Sequence, residues 1–342
     1  MVILNNMRVA DYISNKLSEY GVKNVYGLMG GGAAGLNDGF IKNKNIKYIC
    51  FHNEQGAGYA AVGESKVTKK ISVVNPTTGC GGTNCITPLL DAWQDSLPVV
   101  FLSGNVKKTQ TSLFINRENN IFIRKYGIQE HNIIDTVKSI TKYSKMVESA
   151  SDIPYELDLA INTALSGRMG PVWLDIPSDI QHDKIPLEYK KFIPTKTPSS
   201  NYKFNHLDDI INKYTCPLIL AGYGIVLSNT QHKFKNIIEK YQIPVVTSYL
   251  GIDILGHNHP LNLGTIGIKG SRAGNFALQN CNLLIILGCS LNCSHTGYDE
   301  KLFSSNSYKI MVDIDKNEYL KNTIKIDRFI EMNLNDFLSY DY

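Results

Sequence analysis

Long apolar runs, a dominant charge sign and paired cysteines are all missing from this 342-residue sequence. No stretch approaches the roughly 18 apolar residues of a membrane-crossing helix. The richest, Pro217 to Leu227, is interrupted by Gly222, Tyr223 and Gly224. With 35 Lys and Arg against 31 Asp and Glu the net charge is only +4, and short basic groups such as Lys69-Lys70 and Lys190-Lys191 alternate with acidic residues. That balance predicts a solvated surface and no nucleic-acid partner, because a binder of the phosphate backbone concentrates its cations. Met1 to Asp11 lacks the apolar core and small-residue cleavage site of a secretion signal, so a cytoplasmic protein without membrane contact is expected.

The seven cysteines are Cys50, Cys80, Cys85, Cys216, Cys281, Cys289 and Cys293. They are odd in number, they never stand in CxxC spacing, and no pair of histidines accompanies them. Zinc binding is therefore not expected, no residue is assigned as a metal ligand, and reduced, buried thiols are predicted.

What is present is an alternation of short β-rich runs with amphipathic segments. A helix over Val9 to Tyr20 precedes a strand at Val25 to Leu28; further strands are predicted at Lys47 to Phe51, Ile71 to Asn75, Pro98 to Ser103 and Pro171 to Ile176. Between residues 186 and 205 lie Pro186, Pro194 and Pro198, several lysines and a Thr-Pro-Ser-Ser run, which reads as a linker. The same grammar then restarts with Leu218 to Leu220, a helix over Thr230 to Tyr241, and strands at Pro244 to Thr247, Leu283 to Leu287 and Ile310 to Asp315. With 43% hydrophobic residues two cores can be buried. The expectation is an α/β protein of two doubly wound, mainly parallel sheets: residues 1–185, a linker over 186–205, and a Rossmann-like domain over 206–342.

Candidate chemistry collects where predicted strands end. Glu54 falls at a strand-to-helix junction, where a carboxylate meets the helix dipole, and Gly56, Ala57, Ala60 and Ala61 after it suggest one small-residue face for close packing. Asn75 to Asn84 follows the next strand with Thr77, Thr78, three glycines including Gly79, and Asn84; Gly30 and Gly31 belong to a third Gly-rich loop after Leu28. Such loops let backbone approach a ligand. The Gly-Lys-Ser/Thr ending of a phosphate-binding Walker loop is absent.

Together, YGLMGGG, HNEQGAGYAA, NPTTGCGGTN followed by DAWQDSLP, Ile128-Gln129-Glu130 and SGRMGPVWLDIP resemble the pyrimidine-binding domain of thiamine-diphosphate enzymes of the acetolactate synthase type. Residues from about 206 to 320, with HNHPLNLGTIGIKG and the VDID strand, resemble the central domain of that family. The resemblance implies that Glu54 hydrogen-bonds the pyrimidine ring of thiamine diphosphate, sharing a proton so that the cofactor can lose its thiazolium C2 proton and decarboxylate a 2-keto acid before attacking a second carbonyl. It also implies that Gly79, Asn84 and Gln129 line the thiazolium and substrate side, with Gly30, Gly31 and Thr77 in the cofactor pocket, and that the protein is a homo-oligomer, dimer or tetramer.

Two departures stand against the family pattern. The family's third domain holds Mg2+ and the diphosphate with a Gly-Asp-Gly motif, and no Gly-Asp-Gly occurs here. A separate diphosphate-binding chain, a truncation, or a non-catalytic relative acting as a binding or regulatory subunit would each account for that. The second departure concerns FAD, which acetolactate synthases carry on the central domain. Gly222, Gly224 and Leu263 to Gly267 are compatible with it, but the expected Gly-Ala-Arg and Asp-Asp pattern is replaced by Gly288-Cys289-Ser290-Leu291-Asn292-Cys293-Ser294. Related thiamine enzymes of surface-sugar biosynthesis also show Leu-Asn after this strand, so pyruvate is not the only substrate implied. A third reading, a dinucleotide-dependent oxidoreductase, rests on Gly222-x-Gly224 alone and lacks a GxGxxG continuation.

Overall fold

A computed structural model of the chain describes residues 7–194 and 210–339. The chain forms two compact units, Met1–Thr197 and Pro198–Tyr342. Residues 195–205 of the expected linker lie outside the described residues.

The first unit is built on six strands: β1 (Asn24–Gly27), β2 (Lys47–Cys50), β3 (Ser72–Asn75), β4 (Val99–Asn105), β5 (Tyr143–Met146) and β6 (Val172–Pro177). They lie in the order β2-β1-β3-β4-β6-β5, and every neighbouring pair is parallel. β3 and β4 are buried at every residue, as a sheet covered on both faces requires. Side chains alternate across it. Val73, Val100, Leu102 and Leu174 join a core with Ile13, Leu17, Leu36 and Leu157 from the helices Val9–Glu19, Ala34–Lys42 and Ile153–Leu165. On the alternate positions Phe101 and Trp173 stack with ring centroids 4.9 Å apart. Val9, Ile13 and Leu17 recur every four residues, which gives their helix one buried face. Full burial of a side chain such as Leu17 stabilises by about 1.5–3 kcal/mol.

The second unit repeats the plan with β7 (Pro217–Ala221), β8 (Val245–Thr247), β9 (Asn262–Thr265), β10 (Leu283–Leu287), β11 (Tyr308–Asp313) and β12 (Arg328–Glu331). Their order is β12-β11-β10-β7-β8-β9, again parallel throughout. Ile219, Ile285 and Ile310 enter one core and Leu218, Leu220, Leu284 and Ile286 another. Two doubly wound parallel sheets are thus the fold of this protein.

Two expectations need correction. All seven cysteines are free, but only Cys85, Cys281 and Cys289 are buried; Cys50, Cys80, Cys216 and Cys293 are exposed, because they stand at strand ends and helix starts where the chain reaches the surface. The small residues after Glu54 do not share one face. Ala57 and Ala61 turn into the core while Gly56 is exposed and Ala60 half-buried, so the arc they span crosses from core to surface. The close approach falls instead at Gly58, where a Cβ would overlap the ring of Pro88 on the helix Ile86–Gln94.

Candidate functional site

In the first sheet the chain runs from β1 outward to β2 and then returns to the other side of β1 as β3. This reversal opens a crevice beyond the carboxyl ends of β1 and β3, the usual ligand position in an open parallel sheet. Three of the predicted loops converge there.

Glu54 is the first residue of the helix Glu54–Thr68. The helix starts here because Asn53 has extended backbone and its Oδ1 accepts from the Gln55 N–H at 2.8 Å, capping the first turn. The Glu54 side chain is buried. Its Oε2 accepts a hydrogen bond from Asn84 Nδ2 at 2.9 Å, and its backbone carbonyl accepts from the Cys85 thiol at 3.5 Å. Burial, and secondly the charge of Glu54, push the Cys85 thiol far up, so it remains a donor. Glu54 Oε1 lies against Gly81, where an added Cβ would stand 3.1 Å away.

Thr77 is wedged between glycines: a Cβ at Gly30 would come to 2.5 Å of its Cβ, and one at Gly81 to 2.6 Å of its Cγ2. Gly79 has φ +59°, and a Cβ there would overlap the backbone carbonyl oxygen of Gln129, so this position demands glycine twice over. Gln129 itself has φ +56° and is exposed. Its turn is held by the next residue. Buried Glu130 accepts from the Ser112 N–H and Tyr126 N–H, both at 3.1 Å, and from the Ser112 hydroxyl at 3.2 Å.

Glu54, Thr77, Gly79, Asn84, Gly30 and the Gln129 backbone are therefore brought to one place. Gly31, next to Gly30, is exposed, with open space where a side chain would begin. Among the described residues two polar atoms of this region, Thr77 Oγ1 and Asn75 Oδ1, are buried without a hydrogen-bond partner. Buried polar atoms are ordinarily satisfied, so a crevice with such atoms beside a carboxylate suits a ligand that carries its own donors and acceptors. No group of three or more His, Cys, Asp or Glu side chains placed to hold a metal ion is found among the described residues.

Residues 7–137 match the thiamine pyrophosphate enzyme N-terminal TPP binding domain, and residues 205–339 match the central domain of the same enzymes. This chain belongs to the thiamine pyrophosphate enzyme family. It is 31% identical over 312 residues to the acetolactate synthase isozyme 1 large subunit of Escherichia coli, covering 90% of this chain and 53% of that protein. It is 31% identical over 325 residues to a probable acetolactate synthase large subunit of Methanocaldococcus jannaschii, covering 92% and 52%. The acetolactate synthase large subunit of Lactococcus lactis is 32% identical over 323 residues, covering 91% and 52%. The chain spans about half the length of the curated relatives it matches.

In the central domain of this thiamine pyrophosphate enzyme chain, Gly222 and Gly224 follow β7 at the point where the second sheet reverses its order beside β10. A Cβ at Gly222 would overlap the Gly288 carbonyl oxygen, and one at Gly224 would stand 2.7 Å from Gly288 Cα. Backbone fills the mouth between the two turns, and that contact alone accounts for both glycines. No helix among the described residues is long and apolar enough to cross a membrane.

Sequence reasoning missed a polar group behind the crevice. Thr78, Ser103, Asn105, His131 and Asp175 line a narrow cleft together with Gly79. Asp175 sits at the centre of β6, fully enclosed, and burial pushes its carboxyl up to about 7. The signal was present in the sequence: Val172-Trp173-Leu174-Asp175-Ile176 places one carboxylate inside an otherwise apolar strand, where a charge stays only with partners.

Proposed function

We propose that this chain supplies the pyrimidine-binding half of a thiamine-diphosphate site in an acetolactate synthase-like carboligase acting on a 2-keto acid. The observation that carries this reading is the buried Glu54 carboxylate, oriented through one oxygen by Asn84 and presenting the other beside the Gly30–Thr77–Gly81 contact. When bound, the cofactor supplies the carbon nucleophile for decarboxylation and carbon–carbon bond formation. Glu54 would hold a proton against the pyrimidine nitrogen, and Asn84 would keep the carboxylate turned toward it. Thr77 Oγ1 and Asn75 Oδ1 would gain the partners they lack, and Gly79 with Gln129 would form the wall on the substrate side.

Because no Gly-Asp-Gly occurs in these 342 residues, Mg2+ and the diphosphate are assigned to a domain from outside them. A homo-oligomer in the cytoplasm completes the proposal. Its support is an exposed stripe on the helix Glu54–Thr68, where Gly56, Tyr59, Gly63 and Val67 recur at helical spacing.

Calorimetric titration of thiamine diphosphate and Mg2+ into the purified chain, alone and with a polypeptide bearing a Gly-Asp-Gly domain, tests the reading. Binding that requires the second polypeptide is the expected result. Absence of binding in both titrations overturns it in favour of a non-catalytic binding or regulatory relative.

A further inference from the structure

The cleft behind the crevice holds a hydrogen-bond relay that runs in one direction. Thr78 Oγ1 donates to Asn105 Oδ1 at 3.0 Å, and the Val106 N–H donates to the same oxygen at 2.8 Å. The Asn105 amide is thereby turned so that its Nδ2 donates to Asp175 Oδ2 at 2.7 Å. From the other side Trp173 Nε1 donates to Ser103 Oγ at 2.8 Å, and the Ser103 hydroxyl donates to Asp175 Oδ1 at 2.5 Å. Both arms end on the carboxylate, which only accepts when ionised. Ser103, Asn105 and Asp175 are all buried, so water does not substitute for any of these partners.

We propose that Asp175 is a positioning residue of the candidate thiamine site: through Asn105 it fixes the Thr78 hydroxyl, and with it the Thr77–Gly79 turn that lies between Glu54 and Gln129. For its functional consequence this inference rests on the function proposed above; its geometry does not. An ionised Asp175 needs donors from Asn105 and Ser103. A protonated one must itself donate to one of them. Reversing the Asn105 amide to accept that proton would set its NH2 against both the Thr78 hydroxyl and the Val106 N–H, so the proton goes to the Ser103 side and the Asn105 bond is left on a neutral carboxyl. The charge at Asp175 therefore sets how firmly Asn105 is held and, through it, the Thr78 hydroxyl.

The groups around Asp175 are few. β4 contributes Ser103 and Asn105, β5 places uncharged Met146 opposite it, and the segment leading into the helix Ile133–Val137 brings His131 to the cleft. Glu130, also buried, adds a repulsive charge that favours the protonated form.

The test is a pH titration of the whole chain by NMR with labelled Thr methyl groups and Asn side-chain amides, read at Thr78 and Asn105 between pH 5.5 and about 8.5. The two signals are expected to move together with one midpoint near 7, and to stop moving in Asp175→Asn. Because that variant removes a buried partner and can unfold, Ser103→Ala is the second probe. Loss of its hydroxyl withdraws a bond that favours the ionised form, so the shared midpoint rises. Signals that do not titrate in the wild-type chain overturn the proposal, as does a midpoint unchanged in both variants, which would assign the titration to another group. No cofactor is present in these measurements, so their failure and a failure of thiamine diphosphate to bind are separate results.

Discussion

The backbone carbonyl of Gln129 occupies the space in which a side chain on Gly79 would begin. A turn after β3 and a loop far along the sequence thus meet closely through their backbones. Gly79→Ala is expected to lose about 1–3 kcal/mol from its positive φ alone, with the collision against Gln129 adding to it. Urea unfolding of the purified variant measures this. A stability within error of the wild-type chain would show that the two loops can part freely.

Glu54→Gln keeps the length of the side chain and an oxygen that can accept from Asn84. Folding stability should therefore change by no more than about 1 kcal/mol, the worth of one ordinary hydrogen bond. In a reconstituted complex the exchange of the thiazolium C2 proton should fall by roughly 10²–10⁴, the usual contribution of a positioned acid or base. Undiminished exchange, followed by proton NMR, would remove the role assigned to Glu54.

Asp175 gives stability a pH dependence of predictable sign. The folded chain holds this proton up to about pH 7, against an ordinary aspartate value of about 3.9 in the unfolded chain. The stabilisation linked to that proton is complete below about pH 4 and is lost as pH rises to 7. Across that window the difference in unfolding free energy between wild type and Asp175→Asn should shift by about 4 kcal/mol in favour of the variant. Denaturant melts at pH 4 and pH 8 check the slope, and parallel curves for the two proteins would contradict it.

The exposed stripe on the helix Glu54–Thr68 makes a prediction about assembly. Gly63 has open space where a side chain would go, and Val67 is 81% exposed, so Gly63→Arg and Val67→Glu should leave the fold intact. Both place a charge in the surface proposed to face another copy and should weaken self-association at least about tenfold, which corresponds to about 1.4 kcal/mol. Sedimentation velocity at micromolar concentration reads the outcome. A wild-type chain that sediments as a monomer would end the homo-oligomer reading.

The elements that could be read from sequence are those whose burial is continuous. Leu218 to Leu220, Leu283 to Leu287 and Ile71 to Asn75 are apolar runs because they lie in the middle of covered sheets. The strands that were missed, β5, β9 and β12, are all at sheet edges. Tyr143-Ser144-Lys145-Met146, Asn262-Leu263-Gly264-Thr265 and Arg328-Phe329-Ile330-Glu331 carry polar or charged residues there, so neither an apolar run nor a clean period marks them. The site divided in a similar way. Glu54, Gly79 and Asn84 announce themselves by following strands in Gly-rich company, and their convergence is seen in the fold. Ser103 and Asn105 stood inside or just past a strand and looked like part of it. Only the register of β4 on β6, which pairs Ser103 with Asp175, turns them into a network.

An all-parallel sheet also has consequences for how the chain acquires its structure. No two adjacent strands in either unit can be joined by a hairpin turn, because parallel neighbours need a crossover between them. β4 must find β6, and β7 must find β10, across long stretches of intervening sequence. Each sheet therefore closes large loops before its central pairs form, which slows folding and leaves apolar strand edges open in the meantime. Nascent chains of this protein are expected to be most vulnerable to aggregation until β6 and β10 have been synthesised, since those strands supply the missing neighbours of β4 and β7.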